Sequence, residues 1–495
     1  MIDPWHSRQF DVHLWSEHKQ VMDLTERVFE TFSPEEQDMI KGRSNNRGKT
    51  DLYKHLRHVL VDQYVSYKLD PSLCTGIARG AKHWNVGSRY NALNLSRRIV
   101  DVIDLLVIHK LLDHVNHSHD SNDTRYNRTG RIRPTDKLIS LFRDLTIELE
   151  DIEFHKDEEV IILNDKDDPA DDKSKPQPYE DTPAIITMRE EVQAYNGMMA
   201  EHFVDVASLD YPYLVRQRRN KRGLIDTQRI WTTQDNKFTR RTFSRSSFKL
   251  NGRWNGGFWQ QLPKELRKDI FIDGDPTIEA DYSGLHPNLL AIEFGGSFDG
   301  DPYTINKQLM DNQRKVMKGL LLKVINAKTI DSGIRAFQTD ERGYKKKDLV
   351  ELLDAYIEEY PFMRDAIGSD KGISLMYTDS QIVTKVINRF VVQDIPILPI
   401  HDSFIVREED EELLRQAMYR ACYEVVGQTL KFDMEANVND GTIINSPVKP
   451  DSPYDRRWRA WSDKHPKPNY INRVDDYKEE LNQLEIQRLI EKDKN

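Results

Sequence analysis

The chain has 495 residues, 38% hydrophobic and 31% charged, with a formal net charge of −10. That length allows about two to four domains and a sizeable core. The two cysteines, Cys74 and Cys422, are too far apart for a zinc-ligand pattern or a disulfide framework and suit a reducing compartment. The N-terminal MIDPWHSRQFDVHLW lacks the basic start and apolar run of a signal peptide. No window approaches the roughly 18 apolar residues of a membrane span. A cytoplasmic protein with no membrane partner is expected. The acidic average argues mildly against a nucleic-acid partner, but it hides a strong segregation of charge.

Residues 1–60 read as helical and charged, with Ser33-Pro34-Glu35-Glu36 as a capping signal. Ile77–Trp84 is a short helical candidate. A longer helix is expected over SRRIVDVIDLLVIHKLLDH, where Ile99, Val102, Ile103, Leu106, Ile108 and Leu111 recur at helical spacing. The polar stretch that follows carries Arg125, Arg128, Arg131 and Arg133, and Thr135–Phe142 returns to helix. Helix, turn, Arg-bearing helix and basic hairpin resembles the winged-helix domains of plasmid and phage replication initiators. In such domains the second helix of the pair enters the major groove and the wing meets phosphate or the minor groove. The resemblance makes Arg97, Arg98, Arg125, Arg128, Arg131 and Arg133 the candidate DNA contacts. A small helical domain with a solvated basic loop is the plainer alternative.

Residues 146–190 are acidic, Pro-bearing and poor in periodicity, which reads as a mobile linker. A helix is expected near Met188–Ala207. The charge then inverts: from Arg216 to Arg253, twelve Lys/Arg against two acids leave a local charge of +10. Trp231, Phe238, Phe243 and Phe248 are interleaved with these cations. Such aromatics can stack bases or anchor the segment in a core.

Next comes Pro276–Glu293, PTIEADYSGLHPNLLAIE, where an apolar-alternating strand delivers Asp281 at its end and a helix follows. A carboxylate there suits Mg²⁺, which takes one or two protein carboxylates, although Asp-Tyr-Ser before a helix is also a plain N-cap. The second carboxylate lies in Ile395–Val406. There two apolar strands flank the polar turn His401-Asp402-Ser403, so a hairpin with Asp402 at its tip is expected. Carboxylates on adjacent strand ends can hold two cations roughly 4 Å apart. Between them, QRKVMKGLLLKVINAK sets Arg314 and Lys318 four apart on one helix face. Such neighbours repel unless something anionic lies against them. In isolation this is an ordinary amphipathic helix with a basic face, and a nucleoside triphosphate is one anion that would suit it. Tyr377–Phe390 and Glu411–Val426 read as further helices.

These stretches resemble the palm of family A DNA polymerases and the single-subunit, phage-type RNA polymerases. Gly252-Arg253, Gln260-Gln261-Leu262-Pro263 and Arg267 match segments ahead of motif A; Asp281-Tyr282-Ser283 matches motif A, Arg314 and Lys318 motif B, and His401-Asp402 motif C. The resemblance covers about residues 245–430. It implies that Asp281, Asp402 and the main-chain carbonyl of Tyr282 bind two Mg²⁺ ions, for which Mn²⁺ can substitute. It implies that Arg314 and Lys318 bind the triphosphate, with Lys318 able to protonate pyrophosphate. Arg253, Gln381 and His401 would face the nucleic acid.

There are departures. His286 stands where family A has a glutamate gate against the ribose 2′-hydroxyl. Leu322 and Asn326 replace the usual motif B aromatic and tyrosine. The bulk of His286 favours deoxynucleotides, while Ser403 follows the RNA polymerases. The 121 residues between Asp281 and Asp402 are few for this superfamily and imply trimmed fingers.

The expected fold class is α+β and multidomain: a right-hand polymerase with an antiparallel palm sheet, helical fingers and a reduced thumb, plus an N-terminal winged helix. The expected domains are a helical and winged-helix DNA-binding domain at 1–145, an acidic linker at 146–190, and a compact polymerase domain at 191–445. Within the last, 191–270 is thumb-like and basic and 271–445 is palm and fingers; 446–495 is a charged tail. The expected activity is template-directed nucleotide addition to a 3′-hydroxyl, favouring DNA synthesis for a phage, plasmid or mobile element. The partners would be a DNA template and nucleoside triphosphates. A single-subunit RNA polymerase or primase, a non-catalytic initiator and a nuclease are the rivals.

Overall fold

A computed structural model describes residues 2, 6–41, 52–80, 84, 86–118, 128–147, 149–155, 157–166, 174–219, 225–436, 472–473 and 475. The chain forms two units, Met1–Glu159 with Val215–Arg229, and Val160–Leu214 with Ile230–Asn495. Both mix helices with sheets that are largely antiparallel, compatible with an α+β class. Among the described residues no helix is long and apolar enough to cross a membrane.

The first unit runs β1 (Ser7–Gln9), β2 (Leu14–Trp15), α1 (Lys19–Glu30), α2 (Pro34–Lys41), α3 (Tyr53–Leu69) and β3 (Cys74–Ile77). It continues with α4 (Ile99–Ile108), β4 (Leu112–Val115), β5 (Gly130–Pro134), α5 (Asp136–Phe142) and β6 (Glu153–Phe154). Its main sheet has the order β1-β3-β5-β4. The capping signal forms as expected: Ser33 N donates to Glu36 Oε2 at 2.8 Å, and Glu36 N to Ser33 Oγ at 3.3 Å. Thr135 caps α5. Two expectations change. Ile77 ends a buried strand rather than opening a helix. The long helix stops at Ile108, because Lys110 turns left-handed (φ 57°) and Leu112–Val115 pairs with β5 instead.

The second unit opens with β7 (Ile161–Leu163), α6 (Pro183–Ala200), β8 (Val204–Val206), and the paired strands β9 (Tyr213–Arg219) and β10 (Ile225–Trp231), of which residues from Val215 to Arg229 belong to the first unit. It continues through β11 (Thr239–Ser244), β12 (Ser247–Gly256), α7 (Lys264–Arg267), β13 (Ile270–Ile272), β14 (Asp275–Tyr282) and α8 (Leu285–Glu293). Then come α9 (Gln313–Ile325), α10 (Ile330–Asp340), α11 (Lys346–Glu359), α12 (Gly372–Val391), β15 (Leu398–Ile400), β16 (Ser403–Arg407), α13 (Glu411–Val426) and β17 (Phe432–Ala436). A six-stranded sheet follows the path β15-β16-β14-β13-β8, with β17 on the other side of β14. Ile278, Ala280 and Tyr282 send one face of β14 into the main core, while Thr277 and Glu279 are buried on the other.

Within the stretch that reads as an acidic linker, Val160 and Ile161 are core residues. Ile161–Leu163 pairs in parallel with β11 about 80 residues later. Four consecutive apolar residues bury more surface than the flanking acids can keep in water. The interleaved aromatics also resolve in favour of anchoring. Phe243 is fully buried, Phe238 and Phe248 pack on the same core, and Trp231 meets Tyr213 edge-on. Most of the 446–495 tail lies outside the described residues. Within it, Arg473 donates to the buried Asp205 at 2.6 Å.

The β11–β12 ladder slips beside Gly252: Thr242 faces Arg253, yet Phe243 faces Asn251. Gly252 is thus the extra residue of a β-bulge, which re-aims the next side chain. It sits at φ +80°, and a Cβ there would stand 2.9 Å from both Phe243 Cε1 and Ser380 Oγ of α12. Gly252→Ala is therefore expected to cost about 1–3 kcal/mol. Urea unfolding checks this, and a cost near zero would mean that the bulge relaxes freely.

Candidate active site

Antiparallel pairing of β14 with β16 sets Asp281 opposite Ser403, and Ile400 pairs with Ser403 across the turn His401-Asp402. Asp281 and Asp402 therefore come to the same end of adjacent strands, as the two-strand pattern predicts. The electrostatics carry the mark of that approach. Although Asp281 retains solvent exposure, crowding around its carboxyl and then the charges of Asp402 and Glu279 push its pKa up to about 6; Lys318 and Lys264 oppose the rise. Glu279 lies two residues earlier on the same face. It takes both Arg267 Nε (3.1 Å) and Nη2 (2.8 Å), and Ser403 Oγ donates to it at 3.0 Å. Ser403 is thus bound up with the sheet.

The helix α9 brings Arg314 and Lys318 toward these carboxylates. Lys318 Nζ lies 5.7 Å and the Arg314 guanidinium 5.8 Å from the centre of the Tyr303 ring. Arg314 also pairs with Asp301. Their mutual repulsion is therefore relieved within the protein, without a bound anion. Burial and then Asp402 push the Tyr303 phenol up to about 12, so it stays protonated beside the site. Leu322 is exposed, and Asn326 caps α9 and donates to the Leu322 carbonyl at 2.7 Å. Asn326 also crowds Gly372 at the start of α12.

The bulge at Gly252 turns Arg253 toward α12. Arg253 Nε donates to Asp379 Oδ2 at 3.0 Å, and Nη2 donates to the same oxygen. His286, in the first turn of α8, places Nε2 3.1 Å from that oxygen and 3.3 Å from Arg253 Nη2. His401 adopts a left-handed backbone (φ 57°) at the hairpin tip. Burial and then the nearby Arg253 lower its pKa, favouring the neutral ring. Gln381 is half-buried, two residues beyond Asp379. Tyr282 buries its ring, and its hydroxyl donates to the Met418 carbonyl at 2.6 Å, so only its main chain is left for a ligand.

In the first unit, Arg97 and Arg98 precede α4, about half-exposed, and both pair with Asp101. Arg133 pairs with Asp113 at 3.1 Å, and Arg128 donates to the Asn116 carbonyl at 2.6 Å. Arg131 is only 7% exposed and donates to Thr129 and Ser7, which makes it a sheet residue first. Arg125 lies outside the described residues.

The sequence reading passed over Asp379, Glu279, Asp301 and Tyr303. Asp379 sits in a helix it identified, but nothing in YTDSQ sets that aspartate apart from an ordinary polar face. Asp301 and Tyr303 lie in a loop without periodicity.

Among the described residues no group of three or more His, Cys, Asp or Glu is gathered for a metal. Two mutually repelling carboxylates nevertheless fit Mg²⁺, which needs only one or two from the protein. No family model and no curated protein matches the chain. Among solved structures it is similar to the POL domain of Pol1 from M. smegmatis, in complex with DNA primer-template and dNTP. The TM-score is 0.29 at 11% identity, over 39% of this chain and 47% of that one. The chain spans about half the length of that neighbour, and so distant a likeness leaves the functional case to the residues themselves.

In the metal-free protein Asp281 should titrate near pH 6, and Asp402→Asn should move its midpoint down toward the ordinary 3.8. A carboxyl-carbon NMR titration reads this directly, and an unmoved midpoint would separate the two carboxylates. The raised value also fixes a sign. Stability contributed by protonated Asp281 is complete below 3.8 and lost as pH rises through about 6. Asp281→Asn should therefore raise the melting temperature of the metal-free protein at about pH 7.5 and not at about pH 3.5.

Proposed function

We propose that the second unit is a template-directed nucleotidyltransferase that extends a 3′-hydroxyl, with deoxynucleotides preferred. The observation that carries this reading is the pair Asp281 and Asp402 on adjacent strand ends, close enough for one to raise the pKa of the other. Asp281, Asp402 and the Tyr282 main-chain carbonyl would hold Mg²⁺. When bound, two such ions supply Lewis-acid chemistry, activating the attacking hydroxyl and neutralising charge on the leaving pyrophosphate. The protein's own part is positioning and charge. Lys318 makes no ion pair among the described residues and is exposed toward the same carboxylates, which suits a triphosphate ligand. Arg314 would exchange Asp301 for phosphate.

In this reading the six-stranded sheet is a palm and α9 to α11 are short fingers. His286 is the bulky group beside the sugar, and Ser403 holds Glu279 within the sheet. The first unit would bind duplex DNA as a winged helix, with Arg97 and Arg98 at the start of α4 and Arg128 and Arg133 around the β4–β5 hairpin. Arg131 is too buried to reach phosphate. A phage, plasmid or mobile element is the setting that such a pairing of units suits.

Purified protein given primed or unprimed template, with dNTPs or NTPs and Mg²⁺, tests the reading. Primer extension by dNTPs is expected. De novo products from NTPs would make it an RNA polymerase or primase instead. DNA binding with no synthesis under any combination would leave a non-catalytic initiator. Asp281→Asn and Asp402→Asn should each abolish synthesis and spare DNA binding, and Lys318→Ala should lower the rate by about 10²–10³-fold.

A further inference from the structure

We propose that Asp379 is a positioning residue that locks His286 and Arg253 together and so sets how strongly the site rejects a ribose sugar. This rests on the nucleotidyltransferase reading above. Asp379 is wholly buried in α12. Its Oδ2 receives Arg253 through Nε and Nη2 and stands 3.1 Å from His286 Nε2, while its Oδ1 has no hydrogen-bond partner. Three donors therefore crowd one oxygen, although the other oxygen is unused. That arrangement is poor for stability alone, since a buried acceptor without a partner costs free energy. It does place the histidine and the arginine at one point.

The chemistry at His286 is selective. Nε2 lies between a carboxylate, which can only accept, and a guanidinium, which can only donate. One ring nitrogen cannot serve both. The anion selects the form with hydrogen on Nε2, and the Arg253 contact becomes simple proximity. Among the described residues nothing hydrogen-bonds Nδ1. The ring is thus held at one edge, from outside its own helix. A histidine with free χ1 and χ2 torsions would swing aside and exclude little. Tethered to α12, it becomes a fixed wall. Arg253 shares the tether, so a side chain that would face the nucleic acid and the one that would face the incoming sugar are mechanically joined through Asp379.

Asp379→Asn keeps the size and shape of the side chain, and Asp379→Ala removes it. The catalytic efficiencies for dNTPs and NTPs should converge in both, their ratio falling about ten- to a hundredfold, the scale of steric rejection of one hydroxyl. His286→Ala should produce the same fall, and His286→Ala with Asp379→Asn no further one. A mere structural staple would lower both efficiencies equally and leave the ratio unchanged, which would overturn the proposal, as would additive effects in the double variant. Nitrogen-15 NMR of His286 gives a readout independent of synthesis. Hydrogen on Nε2 is expected in the unmodified chain, and that preference should fade in Asp379→Asn. Hydrogen fixed on Nδ1 would overturn the positioning role. Should the unmodified protein synthesise nothing, the nucleotidyltransferase reading fails with it, yet the tautomer still decides whether Asp379 positions His286.

Discussion

The second unit depends above all on the antiparallel pairing of Asp275–Tyr282 with Ser403–Arg407. That ladder fixes Asp281 opposite Ser403 and sets the neighbouring turn residue Asp402 beside it. A one-residue slip would turn Asp281 to the core face and bring Ala280 or Tyr282 out. The hydrophobic demand of Ile278, Ala280 and Tyr282 therefore holds the register that the carboxylates need. Strand Phe432–Ala436 on the opposite side makes Asp275–Tyr282 a central strand, so the slip would have to break two ladders at once.

Two nearby carboxylates at a strand end are costly, and the surrounding charges are arranged around that cost. Glu279 on the same face is held by a two-pronged contact from Arg267 and by Ser403, and its charge still adds to the rise of the Asp281 pKa. Lys318 and Lys264 lower the Asp281 pKa, and Lys318 makes no ion pair among the described residues. The residue left under-compensated is Asp281 itself. Carboxylates that must exchange a cation gain from such a balance, because a tight internal partner would compete with the ligand.

Much of this was legible in the chain. The alternation around Ile278 and Ala280, the apolar strands on either side of His401-Asp402, and the helical spacing of Gln313–Ile325 and Glu411–Val426 all report local periods that the fold honours. The features missed are those written in contacts far apart in sequence. Ile161–Leu163 becomes a strand only because Arg241–Phe243 offers an edge. Asp379 becomes special only because a bulge about 126 residues earlier re-aims Arg253 toward it. The helix over 96–114 overran because Leu111–Leu112 suits a helix and a strand equally, and pairing with Gly130–Pro134 decided between them.

Buried carboxylates elsewhere show why Asp379 stands apart. Asp62 places Oδ1 on Arg8 and the Asp11 amide and Oδ2 on Gln63, so both oxygens are occupied. Asp205 gives one oxygen to Arg473 and the other to the Val206 amide. In both, each carboxylate oxygen is satisfied, and satisfied buried carboxylates help hold a fold together. Asp379 leaves Oδ1 empty and overloads Oδ2. On β11, Arg241 is buried with its pKa lowered to about 10 by that burial, and it donates to the Gly252 carbonyl at 3.0 Å and to the Ser380 hydroxyl at 3.4 Å. Arg241 thus ties the bulge carbonyl to α12, while Asp379 takes the side chain of the next residue, Arg253. The Asp379 arrangement gives up stability to fix where Arg253 and His286 stand, which is the pattern expected of a site whose geometry matters more than its contribution to folding.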